Sequence, residues 1–317
     1  MSVLNAGRRH DTPWVHPLTE HEAYGELTWG WDLEPARAYV GERAGEPVAA
    51  GGYQWSDRDN LDIAWLEVEV APDHRRAGSG MALFEHLVSE AAADGRTSLG
   101  LTCWDTPDDP EAFGRALGFE RKAVGVHRRQ HLAEVDRQVV VDLHAAATAR
   151  ARDYEVLRWP ETSSEDDLEA LAILTAAIND APKEGLEIED QVFDAQRIRD
   201  YETAQRERGN VMHRVVVRHR ESGELAGQTL LAVDSERPHL AEQHDTSVVI
   251  GHRGHRLGAL LKTEMLLWLA ETQPQVAEVD TWNAESNGFM IDVNEQLGYR
   301  VMGRAFDLQP GAPLQTT

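Results

Sequence analysis

The sequence predicts an α/β protein made of two tandem units that descend from an internal duplication, and three observations carry that expectation. Two distant segments, LEVEVAPDHRRAGSGMALFEHL and TSVVIGHRGHRLGALLKTEML, align without a gap. Arg75, Gly80, Leu83 and Trp104 match Arg253, Gly258, Leu261 and Trp282 at a constant offset of 178 residues. Self-similarity at a fixed period is the mark of a repeated structural unit. Each segment also reads as a strand, an Arg/Gly-rich turn and an amphipathic helix. Finally, Leu66-Glu67-Val68-Glu69-Val70 alternates apolar with charged residues, as a half-exposed strand does and a doubly buried parallel strand does not.

The elements follow in the same order in both copies. A hairpin comes first, residues 36–55 and again 211–233, with short β-rich runs around a turn that contains glycine. The next strand, Ile63 to Val70 or Thr246 to Ile250, ends in the Arg/Gly turn. A helix then places Leu83, Phe84, Leu87, Val88 and Ala91 on one face and stops at Gly95. Its counterpart places Leu260, Leu261, Met265, Trp268 and Leu269 likewise. A further strand ends at Trp104 or Trp282, and a last helix closes on Gly118-Phe119 or Gly298-Tyr299. That pair stands at an offset of 180, so one connection gained two residues, as loops tolerate. The small, polar stretch of about 145–152 lies between QVVVDLH, read as a strand, and the strand YEVLRW. It sets the expected domains at 1–149 and 150–317.

Composition narrows the partners. The 317 residues carry 31 Lys+Arg against 55 Asp+Glu, a formal charge of −24, which repels phosphate backbones and anionic membranes and attracts cationic ligands. Nucleic acid is therefore not the expected partner. No apolar run approaches the ~20 residues of a membrane span, and the N-terminus shows no secretory signal. The single cysteine, Cys103, cannot form an internal disulfide and is read as inert core. The expected location is the cytoplasm, as a monomer or homodimer.

The chemistry-bearing feature is the turn, Arg75-Arg76-Ala77-Gly78-Ser79-Gly80 and its partner Arg253-Gly254-His255-Arg256-Leu257-Gly258. Small residues let a ligand approach the backbone, and the first N–H groups of the following helix point outward. With the helix dipole and the arginines, that makes a site for a phosphate or pyrophosphate. The alternative, a glycine turn with solvated arginines, is weakened by its recurrence in register. A Walker A loop is excluded because neither copy has Gly-Lys-Ser/Thr. A dinucleotide fingerprint is excluded because Leu83 stands where its third glycine belongs. His252 and His255 flank arginines, which disfavours a metal there, and no metal is expected.

The turn resembles that of the GNAT superfamily of N-acetyltransferases, whose pattern Arg/Gln-x-x-Gly-x-Gly/Ala is met in full by Arg75, Gly78 and Gly80. The second copy keeps Arg253 and Gly258 but has Arg256 at the middle glycine. Leu117-Gly118-Phe119 and Leu297-Gly298-Tyr299 resemble the family's closing motif. The resemblance covers residues 38–143 and 153–308, and in architecture the chain is similar to tandem, mycothiol-synthase-like members. It implies an α+β mixed sheet whose central strands splay, with acetyl-CoA as acyl donor in the gap bordered by Val70 in one copy and by Val248 and Ile250 in the other. It also implies an acyl-CoA-dependent N-acetyltransferase acting on a small-molecule amine. Two other readings stay open: a tandem protein that binds acyl-CoA without turnover, and an acyltransferase with a different acyl donor.

Many members carry a tyrosine four residues before the closing glycine that protonates the CoA thiolate; here the position is Gly114 or Asn294. Candidate bases lie on the strand before the turn. Asp245 aligns with Glu67, so both halves carry a carboxylate there, read equally as a base or as a strand-end cap or arginine partner. Strand alternation sends Asp245 and Gln243 to one face and His244 and Thr246 to the other. His244 is a second candidate, since imidazole titrates near neutrality. The polar run Asp280, Thr281, Trp282, Asn283, Glu285, Ser286 and Asn287 offers amides for the pantetheine arm, Asn283 foremost. The C-terminal copy is thus the expected catalytic half, with Asp245, His244 and Asn294 as its catalytic candidates. The charged stretch from Glu184 to Arg208 is read as a solvated helix or a lid.

Overall fold

A computed structural model describes residues 1–311. Its first half contains α1 (Ser2–Asp11), α2 (Glu20–Thr28), β1 (Arg37–Arg43), β2 (Glu46–Gln54), β3 (Ile63–Val70), α3 (Ser79–Ala93), β4 (Ser98–Trp104), α4 (Glu111–Ala116), β5 (Phe119–His131) and α5 (Arg137–Arg150). There follow β6 (Tyr154–Pro160), α6 (Leu168–Thr175), α7 (Ala195–Glu207), β7 (Asn210–His219), β8 (Leu225–Asp234), β9 (Leu240–Val248), α8 (Leu257–Thr272), β10 (Glu278–Ala284), α9 (Gly288–Gln296) and β11 (Arg300–Pro310). The run β1-β2-β3-α3-β4-α4-β5 recurs as β7-β8-β9-α8-β10-α9-β11, each preceded by two helices. The expected duplication and mixed α/β sheet are present.

The first compact unit comprises residues 1–125, 183–191 and 303–311. Its strand order is β1-β2-β3-β4-β11-β5. β1, β2 and β3 are antiparallel, β3 and β4 parallel, and β4 and β11 antiparallel. The apolar spacing of α3 buries Leu83, Phe84, Leu87 and Ala91 against Tyr53, Leu66, Leu99, Leu101 and Phe119. Each large side chain so buried stabilises by roughly 2 kcal/mol. Thr19 and Glu22 close a reciprocal capping box at the start of α2.

The second unit comprises residues 126–182 and 192–302. Its order is β5-β10-β9-β8-β7-β6, with β6 through β9 antiparallel and β9 parallel to β10. One sheet face packs on α8 and α5 through Val215, Leu231, Val233, Leu261 and Met265. The other carries α6 and α7 through Leu171, Leu174, Ile198 and Val216.

The compact units do not divide at 149/150. β4 is paired by residues of β11, the closing strand of the other copy, and α5 sinks Val140 and Ala147 into the α8 core. QVVVDLH is the first half of helix α5, not a strand. Asp136 caps it by accepting from the Gln138 N–H, and the alanine-rich continuation favours helix over the β-propensity of the valines. The stretch from Glu184 to Arg208 is not one helix either. Residues 183–191 belong to the first unit, where Glu184 accepts from the Val124 N–H, and α7 starts only at Ala195, capped by Asp194.

Candidate active site

The two turns have one conformation built from different residues. In the first unit Arg76 and Gly78 are left-handed (φ 61° and 85°), and in the second Gly254 and Arg256 are (φ 88° and 59°). The positions match at the offset of 178, so glycine and arginine have exchanged places. Arg256 therefore departs from the motif without altering the turn. Added Cβ atoms at Gly78 or Gly254 would meet no protein atom within 4 Å, so the space beside each of these glycines is open. Neither α3 nor α8 has a side-chain N-cap, which leaves their first N–H groups for an anion.

The first arginine of each turn is a clamp. Arg75 Nε donates to the Val70 carbonyl at 3.0 Å and Arg253 Nε to the Val248 carbonyl at 3.1 Å. Arg75 also pairs with Asp11, with Glu69 at 3.0 Å and with Asp108 at 2.7 Å; Arg253 pairs with Asp180 at 2.9 Å. Both were expected to meet phosphate, yet their guanidinium groups are already engaged. The exposed Arg76 and Arg256 remain beside the turns. Ala77 and Ser79 receive Arg43, at 2.7 Å on the Ala77 carbonyl and 3.3 Å on Ser79 Oγ. Leu257 buries its side chain in the core and offers only backbone, while His255 lies against the Tyr154 ring. Gly80 and Gly258 abut Val70 and Phe289, each 3.3 Å from an added Cβ. Phe289 and Ile250 are themselves exposed apolar side chains flanking the second turn.

The central strands splay in both units. β3 and β4 pair over four residues, ending at Leu66–Leu101; β9 and β10 pair over four, ending at Gln243–Thr281. Beyond these points β3 runs on to Val70 and β9 to Val248. The units differ in one respect. β3 keeps an unbroken register with β2, whereas β9 carries an extra residue against β8 between Thr246 and Gln243. A bulge re-aims side chains, and it overturns the expected alternation. Gln243 and Thr246 share a face, both reaching Thr229 Oγ1 (2.9 and 2.6 Å). His244 instead meets Tyr201 of α7, its Nδ1 lying 2.5 Å from the phenol oxygen.

The carboxylates that align in the two copies are both perturbed. Burial pushes the Asp245 carboxyl above its ordinary range against the pull of Arg214. The protein around Glu67, then Glu26, raises its carboxyl too, with Arg8 opposing. Burial and the nearby Arg208 push His244 down to about 3, so its ring is neutral at neutral pH and a weaker base than Asp245. Asn294 is fully buried and donates from Nδ2 to Asn283 Oδ1 at 2.7 Å. It stands behind Asn283, which is partly exposed. Asp280 is occupied by Arg129, at 2.6 and 2.8 Å, and by His127 at 3.1 Å, which hold it near 2.

Sequence reasoning missed Tyr201, Arg214, Gln228 and Ser247. Arg214 was visible as a charge inside the apolar run VMHRVVV, on the same strand face as Met212 and Val216. Tyr201 and Ser247 gave no such sign.

Comparison with known proteins agrees with this geometry. Residues 6–119 match the acetyltransferase (GNAT) family. A curated relative, the mycothiol acetyltransferase of Stackebrandtia nassauensis, is 29% identical over 188 residues, which cover 58% of this chain and 56% of that protein. In that match the chain spans just over half of the relative's length. The solved structure of a tandem GNAT protein from the clavulanic acid biosynthesis pathway has a TM-score of 0.77 at 26% identity, covering 96% of this chain and 92% of that one. A GCN5-related N-acetyltransferase from Sphaerobacter thermophilus shares the fold at 14% identity, with a TM-score of 0.65 over 100% and 94% of the two chains.

Proposed function

From a chain that is a tandem member of the GNAT acetyltransferase superfamily, we propose an N-acetyltransferase that moves an acetyl group from acetyl-CoA to a small-molecule amine, with chemistry in the C-terminal half. The duplicated copies are 1–149 and 150–317, whatever exchange of strands their compact units make. The observation that carries the choice of half is the β9 bulge. It turns Asp245 toward α7 beside the splayed end of β9, a feature β3 lacks.

Acetyl-CoA supplies the activated acetyl group. The turn 253–258 offers the uncapped N–H groups of α8 to its pyrophosphate, and Asn283, held by Asn294, offers an amide to its pantetheine arm. Asp245 accepts the ammonium proton, directly or through water, and its raised proton affinity suits that task. No tyrosine stands at Asn294 to protonate the departing thiolate, and a thiolate leaves tolerably without help. The lone cysteine supports action in a reducing cytoplasm.

Thiol release from acetyl-CoA against a panel of amines tests the reading. Asp245→Asn should lower turnover by about 10²-fold, keep acetyl-CoA affinity, and recover in part at high pH where the amine is already neutral. Full activity in Asp245→Asn with inactivity in Glu67→Gln moves the chemistry to the N-terminal half. Tight CoA binding without turnover of any amine replaces catalysis by a binding role.

A further inference from the structure

The face of the second unit's sheet that carries Asp245 holds more polar groups than proton transfer requires. Gln243 and Thr246 turn toward Thr229, so Asp245 and Ser247 stand on the opposite face, the one covered by α6 and α7. Ser247 is 6% exposed, and among the described residues its Oγ has no hydrogen-bond partner. A buried hydroxyl left in that state is unfavourable, and a ligand oxygen would relieve it. Directly across the strands stands Gln228, fully buried. It donates to Thr175 Oγ1 at 3.0 Å and accepts from Arg214 Nη1 at 2.8 Å.

Arg214 is also 6% exposed, and its charge is poorly matched. Among the described residues its one ion pair is with Glu202 Oε1, at 3.4 Å, while Asp245 acts on it from farther away. That oxygen already accepts from the Ser163 N–H at 3.1 Å and from Ser163 Oγ at 2.6 Å, and the other carboxylate oxygen accepts from Arg199 at 2.7 Å. A guanidinium has five N–H donors, and these two contacts leave several unengaged. Arg214 pairs across β8 with Leu230, which faces the bulge on β9. Arg214 and Asp245 thus stand two strands apart, about 9–10 Å between backbones, with both side chains on the same face.

We propose that the acceptor is an amine that also carries a carboxylate a few carbon atoms away, its carboxylate taken by Arg214 and Ser247 Oγ while its ammonium group meets Asp245. The proposal deepens the activity above and rests on its placing of the acceptor on the Asp245 face. In the first unit Glu69 stands at the position of Ser247 and is paired with Arg75.

Matched acceptors test it: β-alanine against propylamine, 4-aminobutanoate against butylamine, lysine against cadaverine. Each pair is assayed for turnover and for binding to the CoA-loaded protein by calorimetry. The carboxylate-bearing member should be preferred at least tenfold. Ser247→Ala, which removes one oxygen and is compatible with folding, should raise KM for that member about tenfold more than it raises KM for its carboxylate-free partner. Arg214→Gln should abolish the preference. Tighter binding of the carboxylate members without turnover sustains the pocket and refutes the activity. Equal or tighter binding of the carboxylate-free amines, or an equal rise of both KM values in Ser247→Ala, overturns the proposal.

Discussion

Lys262 offers a quantitative test of how the two copies diverged. It lies in α8 where α3 has Phe84, and in the first unit that ring packs edge-to-face on Phe113 and Phe119, each with centroids 6.1 Å away. Lys262 is 2% exposed, with its ammonium 5.2 Å from the centre of the Tyr299 ring. Burial pushes it from 10.5 to about 7. At about 1.36 kcal/mol for each tenfold change in proton affinity, that is a ceiling of about 5 kcal/mol. Between pH 7 and 10.5 the unfolded chain holds a proton that the folded chain does not, so stability rises with pH across that window. Below pH 7 the destabilisation is present in full; above 10.5 it is gone. Lys262→Met keeps a long unbranched side chain and removes the charge, while forfeiting a cation–π contact worth ~0.5–2 kcal/mol. The variant should be more stable by roughly 3 kcal/mol at pH 6, with the difference shrinking steadily towards pH 10. Urea unfolding of both proteins at pH 6, 8 and 10 measures this. A difference that does not change with pH, or a destabilised variant at pH 6, refutes the reasoning.

Two further outcomes concern the donor site. Gly258→Leu must displace Phe289 from the mouth of the second turn and should weaken CoA binding by calorimetry at least tenfold, whereas Gly80→Leu should matter only if the first turn also binds CoA. Asn294→Ala removes the hydrogen bond that orients Asn283, worth about 1 kcal/mol, and should raise KM for acetyl-CoA several-fold while KM for the amine stays constant.

The elements legible in the sequence were those set by local pattern. Leu66–Val70 alternates within the strand, α3 has its apolar spacing, and the turn repeats at the same offset, so each is found where the pattern places it. What failed depended on distant partners. The valines of α5 have the composition of a strand, and only the cap at Asp136 and the core waiting for Val140 and Ala147 decide for helix. Nothing local says that β4 takes β11 as its neighbour, because pairing is fixed by which edge the chain reaches. The bulge is equally silent. One extra residue at His244–Asp245 exists only relative to β8, yet it changes which side chains share a face with Asp245.

The candidate site shows why motif positions and motif functions separate. Arg75 and Arg253 match best, and both close the turn onto the strand end through a carbonyl of the preceding valine. The motif glycine at 78 is replaced by Arg256, yet the left-handed backbone is kept, so what recurs between the copies is a conformation that two residue types can supply. Divergence lies in the interior. Where the second unit has Lys262, Asn294 and Ser247, the first has Phe84, Gly114 and a Glu69 neutralised by Arg75. Gly114 admits Leu308, whose Cδ1 would lie 2.5 Å from an added Cβ, so an asparagine could not stand there without displacing apolar packing. Buried polar groups lower stability unless fully partnered, and selection retains such groups where function needs them. Ser247 Oγ and Asn294 Oδ1 lack partners among the described residues, as Trp14 Nε1 and Arg96 Nε do in the first unit. Unpartnered polar atoms thus occur in both halves, and Glu67 and Asp245 are raised alike, so what separates the halves is the bulge in β9 against the unbroken register of β3.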